Sequence, residues 1–216
     1  MRSSIAVAVV CLALAAAPAL GVSLGQVDDF QDGTTQGWGS GVNNPNPPVN
    51  LSDAGPGGAG DHALRALATG GPANGGKLVI FNSNQWAGDY VAAAVTALQM
   101  DILNSGDSEL ILRLALRGPG GDFSSTDGVT VAVGSGWQNI ALPVAPGDLS
   151  PAPGGFDVDA TLGNVNFLRL IHAAAPVWMA DPVDTTLRVD NVSAVPEPLT
   201  MAMMGVGAMI LLRRRR

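Results

Sequence analysis

Cysteine is nearly missing from this chain. The only one, Cys11, lies in the first apolar stretch. If that stretch is removed on export no thiol remains, and disulfides, thiol catalysis and cysteine-bound metals are excluded together. Histidine is almost as scarce. His62 in GDHALRA and His172 in RLIHAAA lie far apart, without the spacing that holds a metal. His172 falls on an expected strand and reads as a structural histidine. There is no Gly-rich phosphate loop and no serine elbow. Asp157 and Asp159 in FDVDA point the same way on an expected strand, which is not how a carboxylate pair flanks a glycosidic bond. Enzymatic activity is therefore not expected. No internal repeat and no regular threonine array is present, so an ice-binding face is not expected either.

Positive charge is also in short supply. Removing Arg2 and Arg213 to Arg216 from 11 basic residues, and Glu197 from 18 acids, leaves 6 bases against 17 acids between Asp28 and Val195, a balance of −11. Such a body repels nucleic acid, so no nucleic-acid partner is expected. The acids keep an exported domain soluble, and some of them suit calcium.

What the chain does have, in 216 residues, is a run of short apolar or alternating segments. They are LVIFNS, VAAAVTALQMDIL, ELILRLALRG, GVTVAVGSG, WQNIALPV, VNFLRLIHA and TTLRVDNVSAV. In ELILRLALR, Leu110, Leu112, Leu114 and Leu116 fall on one face and Ile111, Arg113, Ala115 and Arg117 on the other, the period of a half-buried strand. GPANGG, NSGDS, RGPGGD, GSG, APGD and PAPGG punctuate the runs. Regular turns between short strands predict an all-β, antiparallel β-sandwich over residues 26–195. VAAAVTALQM has helical composition but is read as strand from its neighbours. Residues 39–60, rich in Gly, Pro and Asn, are expected to form a long exposed loop.

Both ends of the chain read differently from the body. MRSSIAVAVVCLALAAAPALG has Arg2, an apolar run from Ile5 to Ala17 and then small residues, which predicts a signal peptide over 1–21. At the other end, Pro196-Glu197-Pro198 precedes an uncharged, mostly apolar segment, 199–212, and then Arg213, Arg214, Arg215 and Arg216. Fourteen helical residues span about 21 Å, short of a ~30 Å hydrocarbon core, and snorkelling arginines extend that reach. The arginines resist translocation. A transient anchor in the inner membrane, with the body outside, is the expected state. The prolines keep the preceding segment extended and accessible. A plain C-terminal anchor with a proline boundary is the alternative.

The order Val195-Pro196-Glu197-Pro198, short apolar helix, arginine cluster resembles the PEP-CTERM sorting signal of Gram-negative bacteria. The resemblance implies an exosortase-like sorting enzyme as partner, recognition of Pro196, Glu197 and Pro198 by it, and delivery to the cell surface or extracellular matrix. That family is associated with exopolysaccharide production and biofilm formation.

The body carries a second resemblance. FQDGTTQGW, followed much later by RVDNV, is similar to the borders of galactose-binding-like jelly rolls, a group that includes many carbohydrate-binding modules. It implies a jelly roll over about 165 residues and a structural calcium held by Asp28, Gln31, Asp32 and Asp190. Gln31 stands where those modules often carry Glu, so charge is lost there. The alternative is that Asp32-Gly33 forms a turn and Asp190 caps a strand end.

Aromatic residues are few, 5% of the chain. Sugar-binding faces use Trp and Tyr as platforms for the apolar side of a pyranose. Trp137, opening WQNIALPV, and Trp38 are expected in the core. Trp86 and Tyr90 in NQWAGDY and Trp178 in APVWMADP lie in loop-like sequence and are the candidate glycan-binding residues. The expectation is a surface-sorted, non-catalytic matrix or biofilm component that binds extracellular polysaccharide. A purely structural surface protein without a ligand, and a secreted hydrolase, are the alternatives.

Overall fold

The computed structural model describes residues 21–196. Residues 1–20 of the expected signal peptide and residues 197–216, with Glu197, Pro198, the expected helix 199–212 and Arg213 to Arg216, lie outside the described residues. Among the described residues no helix is long and apolar enough to cross a membrane.

The strands run in order β1 (Val27–Asp28), β2 (Val49–Leu51), β3 (Ala63–Thr69), β4 (Val79–Asn82), β5 (Ala97–Asn104), β6 (Leu110–Gly118), β7 (Gly121–Ser125), β8 (Val129–Val131), β9 (Gln138–Pro143), β10 (Leu149–Pro151), β11 (Phe167–His172) and β12 (Asp184–Val195). A short helix, α1 (Val158–Leu162), separates β10 from β11. Two antiparallel sheets form. Sheet I has the order β2-β3-β12-β5-β9 with β1 also on β12, and sheet II the order β10-β7-β6-β11-β4 with β8 also on β6. This is the expected β-sandwich.

Period two explains the packing. Leu110, Leu112, Leu114 and Leu116 of β6 are fully buried against Leu98, Met100 and Ile102 of β5 and their neighbours, in one core between the sheets. Alternation in β12 is broken once, by a bulge between Asp190 and Ser193 with Asn191 at φ 51°. The extra residue lets Leu187 and Val189 before it, and Val192 and Ala194 after it, all face the core. It also leaves Asp190 fully enclosed.

Several local expectations are corrected. VAAAVTALQM is strand only from Ala97; residues 91–94 form a turn. The 39–60 segment is not all loop, because β2 pairs with β3 inside it. FDVDA is no strand: Asp157 is the N-cap of α1 and accepts the Ala160 N–H at 3.0 Å. Trp137 is half-buried and outside the core cluster. Its parity matches Asn139 and Ala141, the exposed residues of β9, rather than buried Ile140 and Leu142.

Candidate functional site

The outer face of sheet II gathers four of the six basic residues of the body, Lys77, Arg113, Arg117 and Arg169. Alternation places them there. Arg113 and Arg117 share outward parity on β6, Arg169 follows Phe167 on β11, and Lys77 is in phase with Val79 and Phe81 of β4. Each cation meets a different environment.

Arg113 is buried and donates to the carbonyls of Ala173, Ser125, Thr126 and Ala174 at 2.7–3.1 Å. It thereby fastens the loop after β11, which Asp181 also holds by accepting the Ala174 N–H at 2.8 Å. That loop lays Trp178 on the sheet. Arg117 forms a bidentate pair with Asp122, at 2.6 and 2.7 Å. The guanidinium carbons of Arg117 and Arg169 lie 4.1 and 3.8 Å from the Trp178 ring centroid. Both guanidinium groups therefore stack against the one indole, a double cation–π contact. Phe167 meets the Trp178 edge at 6.4 Å and Phe81 at 4.6 Å.

Beside this stack is a cavity of about 140 Å³, lined by Lys77, Phe81 and Arg169 and by loop residues including Asn44, Asn74 and Met179. Gly75 sets its wall. It sits at φ +90°, and a Cβ there would come within 2.8 Å of the Pro45 ring, so glycine lets the two loops close together. Arg169 donates from Nη1 to the Trp178 carbonyl at 3.2 Å, while its Nε, like those of Arg65 and Arg188 on sheet I, is buried without a partner among the described residues. Burial, and the neighbouring Arg117 charge, lower its pKa to about 10.

The aromatic candidates read from sequence are not exposed platforms. Trp86 and Tyr90 are 0% and 1% accessible. The cause is Asp28, whose buried Oδ2 accepts the indole N–H of both Trp86 (2.6 Å) and Trp38 (2.7 Å) and draws the NQWAGDY loop inward. The Tyr90 hydroxyl donates to the Trp86 carbonyl at 3.0 Å. Trp178 lies on the cationic face, but it is buried, at 8% accessible. Sequence reasoning missed Lys77, Phe81 and Arg169. The signal was present: LVIF alternates, and its outward phase carries Lys77 and Phe81.

The expected calcium donors do not converge. Asp28 is held by indoles. Asp32 accepts from the Thr34 N–H and hydroxyl at 2.8 Å, a local turn that lowers its pKa. Gln31 donates its amide to Asp61 at 2.6 Å. Among the described residues Asp190 accepts only from Asn191, at 2.7 and 3.2 Å. Burial first, and then Asp61, Asp101 and Asp29, push its pKa up to about 7. Among the described residues no group of three or more His, Cys, Asp or Glu has metal-site geometry, and the residues named from sequence do not fit the ion. Pro196, the first residue of the expected sorting motif, directly follows β12. His172 accepts the Ile111 N–H at 3.0 Å and is the structural histidine expected.

No family model matches the chain, and no curated protein matches it by sequence. Solved structures do match its fold. The family 11 carbohydrate-binding module from Clostridium thermocellum, solved with a β-1,3-1,4-mixed-linked tetrasaccharide, is 18% identical with a TM-score of 0.51, over 81% of this chain and 97% of the module. The family 11 module of a cellulosomal cellulase from the same organism is 15% identical with a TM-score of 0.50, over 81% and 95%. An exo-β-agarase is 16% identical with a TM-score of 0.55, over 82% of this chain but only 25% of the agarase. At these identities the likeness establishes the β-sandwich fold.

Proposed function

We propose that this is an exported, non-catalytic protein that binds extracellular polysaccharide on the outer face of sheet II. The observation that carries the reading is the cavity where Phe81 stands beside the donors of Lys77, Arg169 and the loop asparagines, on a sandwich shaped like carbohydrate-binding modules. A sugar ring needs an apolar wall and a few fixed donors, and this cavity has both. The sorting reading belongs to the same proposal. Pro196, Glu197 and Pro198, the apolar segment and Arg213 to Arg216 direct the chain to an exosortase-like enzyme and then to the surface or matrix of a Gram-negative cell.

Glycan-array binding of the full-length protein, compared with Phe81→Ala, tests the binding reading. Specific binding lost about tenfold or more in the variant supports it. The burial of Trp86, Tyr90 and Trp178 favours a second reading, a structural surface protein without a ligand, and an array with no signal would establish that one. Intact mass and C-terminal sequence of protein from its native envelope test leader removal and sorting together. A chain uncut at both ends in the cytosol overturns the sorting reading.

A further inference from the structure

We infer that the sheet II cavity selects an acidic polysaccharide, with Lys77 and Arg169 together receiving the carboxylate of a uronic-acid-type residue. The inference rests on the binding proposal above and adds the class of sugar.

Unmatched positive charge on this face calls for an anion. Of the four cations on this face, Arg113 is satisfied by four carbonyls and Arg117 by Asp122. Among the described residues that pair is the sole ion pair, so neither Lys77 nor Arg169 has a carboxylate partner. Both line the same cavity. A half-buried guanidinium carries a desolvation cost that an anion offsets. In Arg169 this cost is visible as a buried Nε with no acceptor. Trp178 beneath it and the bond to the Trp178 carbonyl fix its plane, so the fork is oriented before any ligand arrives. A neutral sugar hydroxyl supplies a weak acceptor to one donor. A carboxylate supplies two anionic oxygens, which the guanidinium and an ammonium can share. Phe81 in the same cavity provides the wall for the ring that bears it.

The body as a whole, with its balance of −11, opposes an acidic polymer away from these cations. That opposition confines contact to this face and makes the attraction sensitive to salt.

The test uses full-length protein and a panel of polygalacturonate, alginate and hyaluronan, each beside its carboxyl-reduced form, plus neutral mixed-linked β-glucan. We expect at least one acidic polymer to bind about tenfold or more tightly than its reduced form, and to weaken severalfold between about 50 and 300 mM salt. Lys77→Gln should reduce that affinity about fivefold or more without changing the unfolding midpoint. Arg169→Gln should abolish the preference, and Arg169→Lys should restore part of it. Equal affinity for acidic and reduced polymers, or for β-glucan, overturns the charge selection and leaves polysaccharide binding standing. No binding to any polymer overturns both.

Discussion

On the outer face of sheet II, cations are interleaved with aromatic rings and carbonyl oxygens. Arg113 is fully engaged, Arg117 has Asp122, and Trp178 stacks with both Arg117 and Arg169. At the corner of sheet I where β1 meets β12, the charges are acids. Asp190 is enclosed there with Asp29, Asp61 and Asp101 nearby. Amides, not cations, hold that corner: Asn191 and Asn139 donate to Asp101 at 2.9 and 2.7 Å, and Gln31 donates to Asp61. The two basic residues of sheet I, Arg65 and Arg188, are register partners of each other and join no ion pair among the described residues. One surface presents donors to whatever lies outside; the other absorbs its acids into the fold. The candidate ligand face follows from that contrast, and it is not the surface that the terminal acid motifs suggested.

The largest expected effect comes from Asp28, the one acid of the sheet I corner that is a structural hub. Asp28→Ala leaves two buried indole N–H groups without an acceptor. Each costs about 1–3 kcal/mol, so a loss of about 4 kcal/mol is expected in urea unfolding. A loss below about 1 kcal/mol would mean the indoles find other partners. Next is Trp178→Ala on the opposite surface. It removes the aromatic side chain on which two guanidinium groups stack, with an expected loss of about 3 kcal/mol. Glycan affinity should fall with it, because Arg169 loses its support. If Trp178→Ala weakens stability but not binding, Arg169 is oriented by something else.

Much of the fold was legible because period two is a local property. The four leucines of ELILRLALR needed no knowledge of the partner sheet to be placed inward. The outward arginines of β6 were legible in the same way. The site was not, for two physical reasons. Trp86 sits in loop sequence, and loop sequence reads as exposed. Its burial depends on a carboxylate 58 positions away, a contact that no local pattern encodes. The cavity is assembled from loops 41–46 and 70–76 and from the segment after β11, so only the closed sandwich brings Asn44, Asn74, Phe81 and Arg169 together. The bulge in β12 misled in a different way. RVDNV looked like an acid-bearing strand end, yet the inserted residue keeps Asp190 enclosed while Val192 still reaches the core.

Asp190 gives the third prediction, and its sign separates the two surfaces. Its pKa is raised from 3.8 to about 7, so the fold prefers the protonated form. The stability this group contributes is fully present below about pH 4 and is lost as pH rises through about 7. Asp190→Asn removes the charge and keeps an oxygen for the Asn191 N–H. The variant should melt a few degrees higher than the parent at pH 8 and at the same temperature near pH 3.5. Thermal unfolding followed by circular dichroism at both pH values measures this. A variant less stable at pH 8 would show that the ionised carboxylate has a favourable partner at the corner.

The smallest expected effect concerns calcium. A cation bound only by the folded state at about a hundredfold over its dissociation constant would add about 2.7 kcal/mol, several degrees in the midpoint of a domain this size. Two of the carboxylates that sequence assigned to it are already engaged: Asp28 by indoles and Asp32 by Thr34. To release Asp28 alone would strand the two buried N–H groups whose loss is the largest effect above. Millimolar calcium or a chelator should therefore move the midpoint by less than about 1 °C at pH 8, where Asp190 is ionised and most receptive. A calcium-dependent rise that vanishes in Asp190→Asn would mean that the acids of sheet I can rearrange around an ion, and that both surfaces, rather than one, are built to meet a ligand.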